Sequence, residues 1–353
     1  MQTFHIVKEI KPKKTYRVAS VIDRYDLQYE HLKETFKGEI KLDESWKIGC
    51  IVGTSGTGKT TVAKEMFGKS YIENYEYKNE SILDDFDKDL SIEEITKTFN
   101  SVGFSSPPSW LKPYKVLSNG EKMRVDLARA LLTEKDLIVF DEFTSVVDRN
   151  VAKISSFAVS KSIRKSQKKF IAITCHYDIL NWLCPDWILD TNKMEFKNTR
   201  GLLQRSSIEL NVYQSKNYWD VFRKYHYLNT NIHKGSTQFV AFYENKPVAF
   251  SSAMAFPHPT EKNIYRGHRT VVLPDYQGLG FGNRLSEYVA KYYLEKGKRF
   301  LSITSSPSML YSRQKSKNWK LKRFGRVNPM LKSGRVDVLS CDRFTSSWEY
   351  ING

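Results

Sequence analysis

The sequence predicts an α/β chain in which an N-terminal α/β domain is followed by a smaller α+β domain. Three observations carry that expectation. Gly53-Thr54-Ser55-Gly56-Thr57-Gly58-Lys59-Thr60 is a complete G-x-x-x-x-G-K-[ST] loop. A second glycine-rich turn, at residues 277–282, lies between another apolar run and another helix-forming run. Charge is also unevenly shared: residues 1–200 carry a net +3, whereas 201–353 carry +14 of the total +17.

The first loop sits where nucleotide chemistry requires it. Ile48–Val52 reads as a buried strand, and residues 60–67 read as a helix. Glycines let successive backbone amides fold around phosphates, and the helix start adds its positive dipole end. Lys59 is then placed to reach the β- and γ-phosphates, Thr60 to ligate Mg²⁺, and Thr61 to line the same site. The pattern implies ATP or a related nucleoside triphosphate.

Motifs further along the chain narrow the class. Leu137–Phe140 reads as a buried strand ending in Asp141-Glu142. Asp141 suits the Mg²⁺ shell, and Glu142 suits orientation and deprotonation of an attacking water. Leu117-Ser118-Asn119-Gly120-Glu121 precedes a helix at 122–132, so Ser118 and Gly120 offer a second anion cradle. Asp148 closes the segment Ser145-Val146-Val147-Asp148, and a strand at 170–174 ends at Cys175-His176.

This ordered series resembles the ABC-type ATPase family over residues 1–195. Residues 53–60 match its Walker A, 117–121 its signature, 137–142 its Walker B and 145–148 its D-loop, while His176 matches its switch histidine. The resemblance implies two chains stacked head to tail, with Ser118, Asn119 and Gly120 of one capping the nucleotide held by Lys59 of the other. Asn119 stands where the family has glycine. No glutamine occurs between residues 61 and 116, so the Q-loop ligand is absent or replaced, with Asp84 and Asp85 the candidates.

Composition limits the setting. A membrane-spanning helix needs about 20 consecutive apolar residues, and the apolar runs here are only a handful long. The first residues lack the basic-then-apolar order of a signal peptide. Cys50, Cys175, Cys184 and Cys341 form no CxxC pair and no zinc spacing. A cytoplasmic protein without a membrane partner is expected; the alternative is a transport subunit that recruits separate membrane chains. The basic run at 161–169 reads as a solvated helix face. A polar stretch at 196–206 is expected to link the two domains.

In the second half, a strand ending at Val271, Val272 and Leu273 leads into Gln277-Gly278-Leu279-Gly280-Phe281-Gly282 and then a helix. Backbone amides again point at an anion. A Rossmann loop and a mere tight turn compete with an acyl-donor loop, although no acid lies about 20 residues on, as a dinucleotide site requires. Residues 207–325 resemble the GNAT acyltransferase superfamily, whose pyrophosphate loop [QR]-x-x-G-x-[GA] is matched at every position. That resemblance implies acetyl-CoA or another acyl-CoA, with the strand pairing along the pantetheine arm. It also implies Tyr311 as the acid for the departing thiolate, a task suited to a phenol of pKa about 10. His226 and His268 are the base candidates. The His226-Tyr227 pair resembles one in the phage Mom DNA-modification proteins, and the two resemblances together match bacterial and phage ATPases fused to a GNAT-like domain.

Charge and aromatics indicate the acceptor. Lys315, Lys317, Lys320, Lys322 and Arg323 surround Trp319 within a basic segment at 291–335. Cations bind phosphates, and aromatic faces stack on unpaired bases. DNA or RNA is therefore the expected partner. The alternatives are a non-catalytic GNAT fold on an ATP-driven nucleic-acid- or ribosome-binding module, and a protein acetyltransferase.

Overall fold

The computed structural model describes residues 2–9, 12–27, 33–72, 74–204, 207–226, 230–258, 260–326 and 344–352. The chain divides into two compact units, one of Met1–Tyr75 with Thr133–Ser206, the other of Glu76–Leu132 with Ser207–Gly353. This corrects the expected 1–195 and 207–353 division. Residues 76–132, which carry the signature, cluster with the C-terminal half because side chains distant in sequence pack together there.

The first unit opens with β1 (Gln2–Glu9) and β2 (Lys33–Ile40), paired antiparallel from Gln2↔Ile40 to Glu9↔Lys33. Between them α1 (Tyr16–Tyr25) is capped by Thr15, whose hydroxyl accepts from the Val18 amide. A five-stranded sheet comes next in the order β4-β5-β3-β6-β7, comprising β3 (Ile48–Val52), β4 (Leu137–Phe140), β5 (Lys169–Thr174), β6 (Trp187–Asp190) and β7 (Glu195–Asn198). Every residue of β3 is buried, as expected of a central parallel strand covered on both faces. Helices α2 (Lys59–Phe67), α6 (Arg149–Arg164) and α7 (Ile179–Leu183) complete this unit. Trp46, Phe67 and Trp187 fill its core, with the two indoles edge to face at 5.5 Å.

Strand β7 also corrects the expected linker. It pairs antiparallel with β6, and the Thr199 amide donates to the Asp186 carbonyl at 2.9 Å. Residues 196–198 therefore belong to the sheet: Phe196 packs against Trp187, while Lys197 and Asn198 suit an edge strand as well as a loop.

In the second unit, α3 (Ile92–Ser101), α4 (Pro107–Trp110) and α5 (Asn119–Leu132) form a helical segment. A Ser91/Glu94 capping box opens α3 and fixes its start. The remainder is a seven-stranded sheet in the order β13-β14-β12-β11-β10-β9-β8. Its strands are β8 (Asn211–Gln214), β9 (Thr237–Tyr243), β10 (Lys246–Ala255), β11 (Ile264–Val272), β12 (Arg299–Thr304), β13 (Trp319–Gly325) and β14 (Thr345–Tyr350). Helices α8 (Trp219–Phe222), α9 (Phe281–Glu295) and α10 (Pro307–Lys315) accompany them. Among the described strands of this sheet only β11 and β12 run parallel, and their ladder spans just Ile264↔Arg299 to Arg266↔Leu301. Beyond it β11 continues to Val272 with no β12 partner, which leaves its backbone groups on that side outside the ladder. Trp219, Phe222, Val240, Phe250 and Val271 form the core beneath it.

Candidate functional site

Parallel strands β3, β4 and β5 bring three segments to one edge of the first sheet. Phe140 aligns with Ala172, and Val52 with Thr174, so Gly53, Asp141 and Cys175-His176 all leave at the C-terminal ends. Helix α2 then begins at a left-handed Gly58 (φ 81°) with no side-chain cap. A non-glycine residue is disfavoured there, and its Cβ would also fall 2.3 Å from the Phe36 ring. The first-turn amides of α2 thus have no side-chain acceptor, an arrangement suited to an anion. Lys59 Nζ donates to the Thr54 carbonyl at 2.7 Å, holding the ammonium over the loop. Thr57 Oγ1 lies 2.6 Å from Thr191 Oγ1, and the Thr54 amide and hydroxyl both donate to Asn192 Oδ1. Ser55 and Gly56 form the exposed tip, and Thr61 sits half-buried on α2.

The Thr60 hydroxyl donates to Asp141 Oδ2 at 2.7 Å. This places a hydroxyl and a carboxylate together, the donor set a hard cation such as Mg²⁺ takes alongside phosphate oxygens. Sequence reasoning missed Tyr71, whose hydroxyl donates to the same Oδ2 at 2.5 Å. Its position is set by a lone bridge to Val139, a long-range contact with no local signal. Glu142 is exposed and in the left-handed region (φ 52°), with its amide donating to Asp141 Oδ1 at 2.8 Å. Asp148 N-caps α6, accepting from the Asn150 and Val151 amides. The half-buried His176 has its amide on Thr174 Oγ1 at 3.2 Å.

In the second unit, the Ser118 hydroxyl accepts from the Glu121 amide at 3.3 Å. Glu121 Oε2 in turn accepts from both the amide and the hydroxyl of Ser118, at 3.0 Å each. The segment Ser118-Asn119-Gly120-Glu121 is therefore a capping box that starts α5. Burial opposes the Glu121 charge, but hydrogen bonds from Ser118 and Ser109 and the Lys112 cation outweigh it and hold the carboxyl low. Asp85, a candidate Q-loop substitute, has Oδ1 accepting from the Lys78 and Asn79 amides, so it closes a turn.

Helix α9 repeats the arrangement seen at α2. Gly280 (φ 84°) is its left-handed N-cap, and again no side chain caps it. Gly278 is also left-handed, with φ 89°. Leu279 and Phe281 are buried, so the loop offers backbone rather than side chains to its surroundings. A Cβ on Gly282 would lie 3.2 Å from Val272 Cγ2, which fixes the helix start against the end of β11. Gln277 Nε2 donates to the Val272 carbonyl at 3.2 Å, and the Leu273 amide donates to Val248 O at 3.0 Å.

The catalytic candidates of this unit divide. Tyr311, 46% exposed on α10, has Lys315 Nζ 2.5 Å from its hydroxyl and over its ring. His226 is half-buried against Trp219, with ring centroids 6.2 Å apart, and Tyr227 lies outside the described residues. His268 Nε2 accepts from the His233 amide at 3.3 Å, which leaves the proton on Nδ1. Burial, aided by the Arg269 and Arg266 cations, pushes His268 down to about 4. Its ring is thus neutral at pH 7, with the Nε2 lone pair taken up by the His233 amide.

The basic surface also differs from expectation. Trp319 is 6% exposed, so it cannot stack on a base from solvent, and this corrects the sequence reading. Its ring covers Arg313, whose guanidinium lies 4.3 Å from the centroid, and packs against Phe300 and Tyr350. Arg313 is itself buried, held by the hydroxyls of Ser286 and Ser302 at 3.0 and 2.8 Å. Burial lowers its pKa to about 10, so it stays charged at neutral pH. Phe324, 61% exposed, and Phe344, 54% exposed, do face outward, with ring centroids 6.2 Å apart. Lys315, Lys317, Lys320, Lys322 and Arg323 are all exposed, although Lys322 pairs with Glu349 at 3.3 Å. Lys332 and Arg335 lie outside the described residues.

Among the described residues, no helix is long and apolar enough to cross a membrane, and no cluster of three His, Cys, Asp or Glu side chains could hold a metal.

Two family profiles match the chain: "ABC transporter" over residues 70–145 and "Acetyltransferase (GNAT) family" over 180–313. The chain is 31% identical over 105 residues to a probable ATP-binding cassette sub-family F member 3 homolog of Encephalitozoon cuniculi, covering 28% of this chain and 19% of that protein. It is 28% identical over 119 residues to the ribosome protection protein VmlR of Bacillus subtilis, covering 28% of this chain and 21% of that one. The chain thus spans well under half the length of either relative. An IAA acetyltransferase from Bacillus cereus aligns with a TM-score of 0.32 at 12% identity, covering 40% of this chain and 99% of that one. The expected fold class holds: the protein is α/β, with the match to the ABC transporter profile at 70–145 followed by the match to the GNAT profile at 180–313.

The His268 environment makes stability pH-dependent. Its folded value of about 4 lies below the ordinary 6.5, so between those values the unfolded chain binds the extra proton. The contribution is complete above pH 6.5 and declines as pH falls toward 4. His268→Gln keeps an acceptor for the His233 amide and cannot titrate. The difference in Tm between pH 7 and pH 4.5 should therefore be smaller in the variant; an unchanged difference would show that the ring titrates normally.

Proposed function

We propose that the chain is an ATP-hydrolysing, ATP-dependent homodimer whose GNAT region transfers an acyl group from acetyl-CoA or another acyl-CoA to a nucleic acid, DNA or RNA. The observation that carries this is the repeated geometry of α2 and α9, each opened by a left-handed glycine and uncapped by any side chain. One lies beside the Thr60–Asp141 pair, the other beside the part of β11 that β12 leaves unpaired.

At the first site, amides of 53–60 and the Lys59 ammonium hold the phosphates, and Thr60 with Asp141 holds Mg²⁺, which supplies charge neutralisation. Glu142 takes the proton of the attacking water. Ser118, Asn119 and Gly120 of the partner subunit close the same nucleotide, and His176 and Asp148 border it. Opening the Ser118–Glu121 pair is part of that closure, because the hydroxyl is otherwise committed.

At the second site, amides of 277–282 hold the CoA pyrophosphate while the unpaired edge of β11 aligns the pantetheine arm. An acceptor nitrogen attacks the thioester carbonyl, so a C–N bond forms as the C–S bond breaks. The nitrogen loses its proton to a base, with His226 and His268 the candidates, and Tyr311 protonates the thiolate. Exposed Lys315, Lys317, Lys320 and Arg323 supply phosphate contacts, with Phe324 and Phe344 as stacking faces.

A second reading is supported by His268, whose Nε2 lone pair is occupied by the His233 amide. In it, the GNAT fold recognises without transferring, and the protein is an ATP-driven nucleic-acid- or ribosome-binding module. Similarity to a protein named for ribosome protection is compatible with that reading.

Each half of the proposal can be tested separately. Glu142→Gln should bind ATP, lose turnover by orders of magnitude and accumulate as a dimer in light scattering; a persistent monomer would refute the ATP-dependent dimer. Gly280→Asp places bulk and negative charge at the α9 N-terminus. It should abolish acetyl-CoA binding in calorimetry while ATPase activity survives, and failure of the unaltered protein to bind any acyl-CoA would favour the second reading. Finally, binding of a single-stranded oligonucleotide should weaken about 10³-fold or more from about 50 to about 200 mM salt if six or so phosphates are contacted. Phe324→Ala should cost single strands about 1–3 kcal/mol and duplexes less. Absence of binding at low salt would point to a protein acceptor.

A further inference from the structure

Within the second unit, the helical segment that carries the signature touches the acyl-donor loop directly. The Ser105 amide donates to Gln277 Oε1 at 2.8 Å, while Gln277 Nε2 reaches the Val272 carbonyl at 3.2 Å. One side-chain amide therefore ties the segment before α4 to the end of β11. A Cβ on Gly103 would lie 2.7 Å from the Gln277 carbonyl oxygen, and Gly103 is left-handed, so glycine is required on both counts. On α5, Arg124 is 1% exposed, and its guanidinium donates to the Asp275 carbonyl at 3.4 Å. A separate contact reaches the other end of the site: Lys97 Nζ on α3 lies 5.6 Å above the Tyr311 ring. A buried guanidinium on a backbone carbonyl is a costly feature to place by chance, since removing its partner leaves a desolvated charge. The Ser105, Gly103 and Arg124 contacts fall on the turn at residues 275–277, and each is supplied by the helical segment.

We propose that Ser105 and Arg124 are positioning residues for the acyl-donor loop, so that the nucleotide state sensed at Ser118 and Gly120 sets acyl-CoA affinity. The proposal rests on the ATPase and acyltransferase readings above. Ser118 starts the same helix that carries Arg124, so a shift of the α5 N-terminus is transmitted to Asp275 and Gln277 through one rigid element.

Acetyl-CoA is titrated calorimetrically into the full-length protein with and without a non-hydrolysable ATP analogue. The dissociation constant should change by about fivefold or more, and the analogue's own affinity should change by the same factor in the presence of acetyl-CoA, as linkage requires. Ser105→Pro, which removes the donating amide, and Arg124→Gln should still bind both ligands but bring that factor toward one. A purely structural role would weaken acetyl-CoA equally in both nucleotide states and leave the factor intact. Hydrogen exchange of residues 274–282 in the unaltered protein gives a reading independent of either variant, with slower exchange expected on adding the analogue. Acetyl-CoA binding that ignores the analogue, or a factor that survives both substitutions, overturns the coupling while leaving the acyl-donor reading standing. No acetyl-CoA binding in either nucleotide state overturns that reading, and the coupling with it.

Discussion

A helix whose first amides lack any side-chain acceptor is an incomplete structure, and among the described helices α2 and α9 are the ones that leave them so behind a left-handed glycine. At α2 and α9 the N-cap is a glycine in the left-handed region, where serine or aspartate would ordinarily turn back to accept from the helix. The contrast within the same molecule is direct. Thr15, Ser91 and Asp148 cap α1, α3 and α6 with side-chain oxygens. Glycine in place of a capping side chain costs only about a few tenths of a kcal/mol at each site, and it leaves the first amides open to a bound anion. The strand before each uncapped helix supplies the second half of the arrangement: β3 leads through Gly53 to Thr60, which meets Asp141, and β11 delivers Val272 beside Gln277.

The second unit is organised around buried polar groups that fix neighbours in place. Arg313 is held by Ser286 and Ser302 and roofed by Trp319, tying α9, β12, α10 and β13 together. Arg124 does the same between α5 and the turn at Asp275. Asp126, also on α5, accepts from the hydroxyls of Tyr77 and Tyr114, whose rings stack at 3.8 Å. Burial raises the Asp126 pKa despite those two donors. Such groups add little net stability, but breaking one is costly, so they specify which surfaces meet.

Legibility in the sequence tracked the range of the interaction. The loops at 53–60 and 277–282 were readable because a glycine-rich turn between strand and helix is a local backbone requirement. Motif order alone paired Asp141 with Thr60, and their side chains meet. Tyr71 was invisible, because nothing near Ser70-Tyr71-Ile72 signals a bridge to Val139. Trp319 was misread because a tryptophan among lysines looks like a surface reader, whereas its own position in β13 is buried. The division of the chain was misread for a related reason: the hydrogen bond from Ser105 to Gln277 spans 172 residues and leaves no trace in composition. His268 was legible as a histidine on a strand, but its neutral state depends on burial and two arginines.

Native mass spectrometry of the full-length protein with ATP and acetyl-CoA together tests the central claim most directly. Two separate anion-holding helix starts predict one ATP and one acetyl-CoA per chain, bound simultaneously, with Gly280→Asp removing only the acetyl-CoA. Binding of ATP alone, or displacement of one ligand by the other, would contradict it.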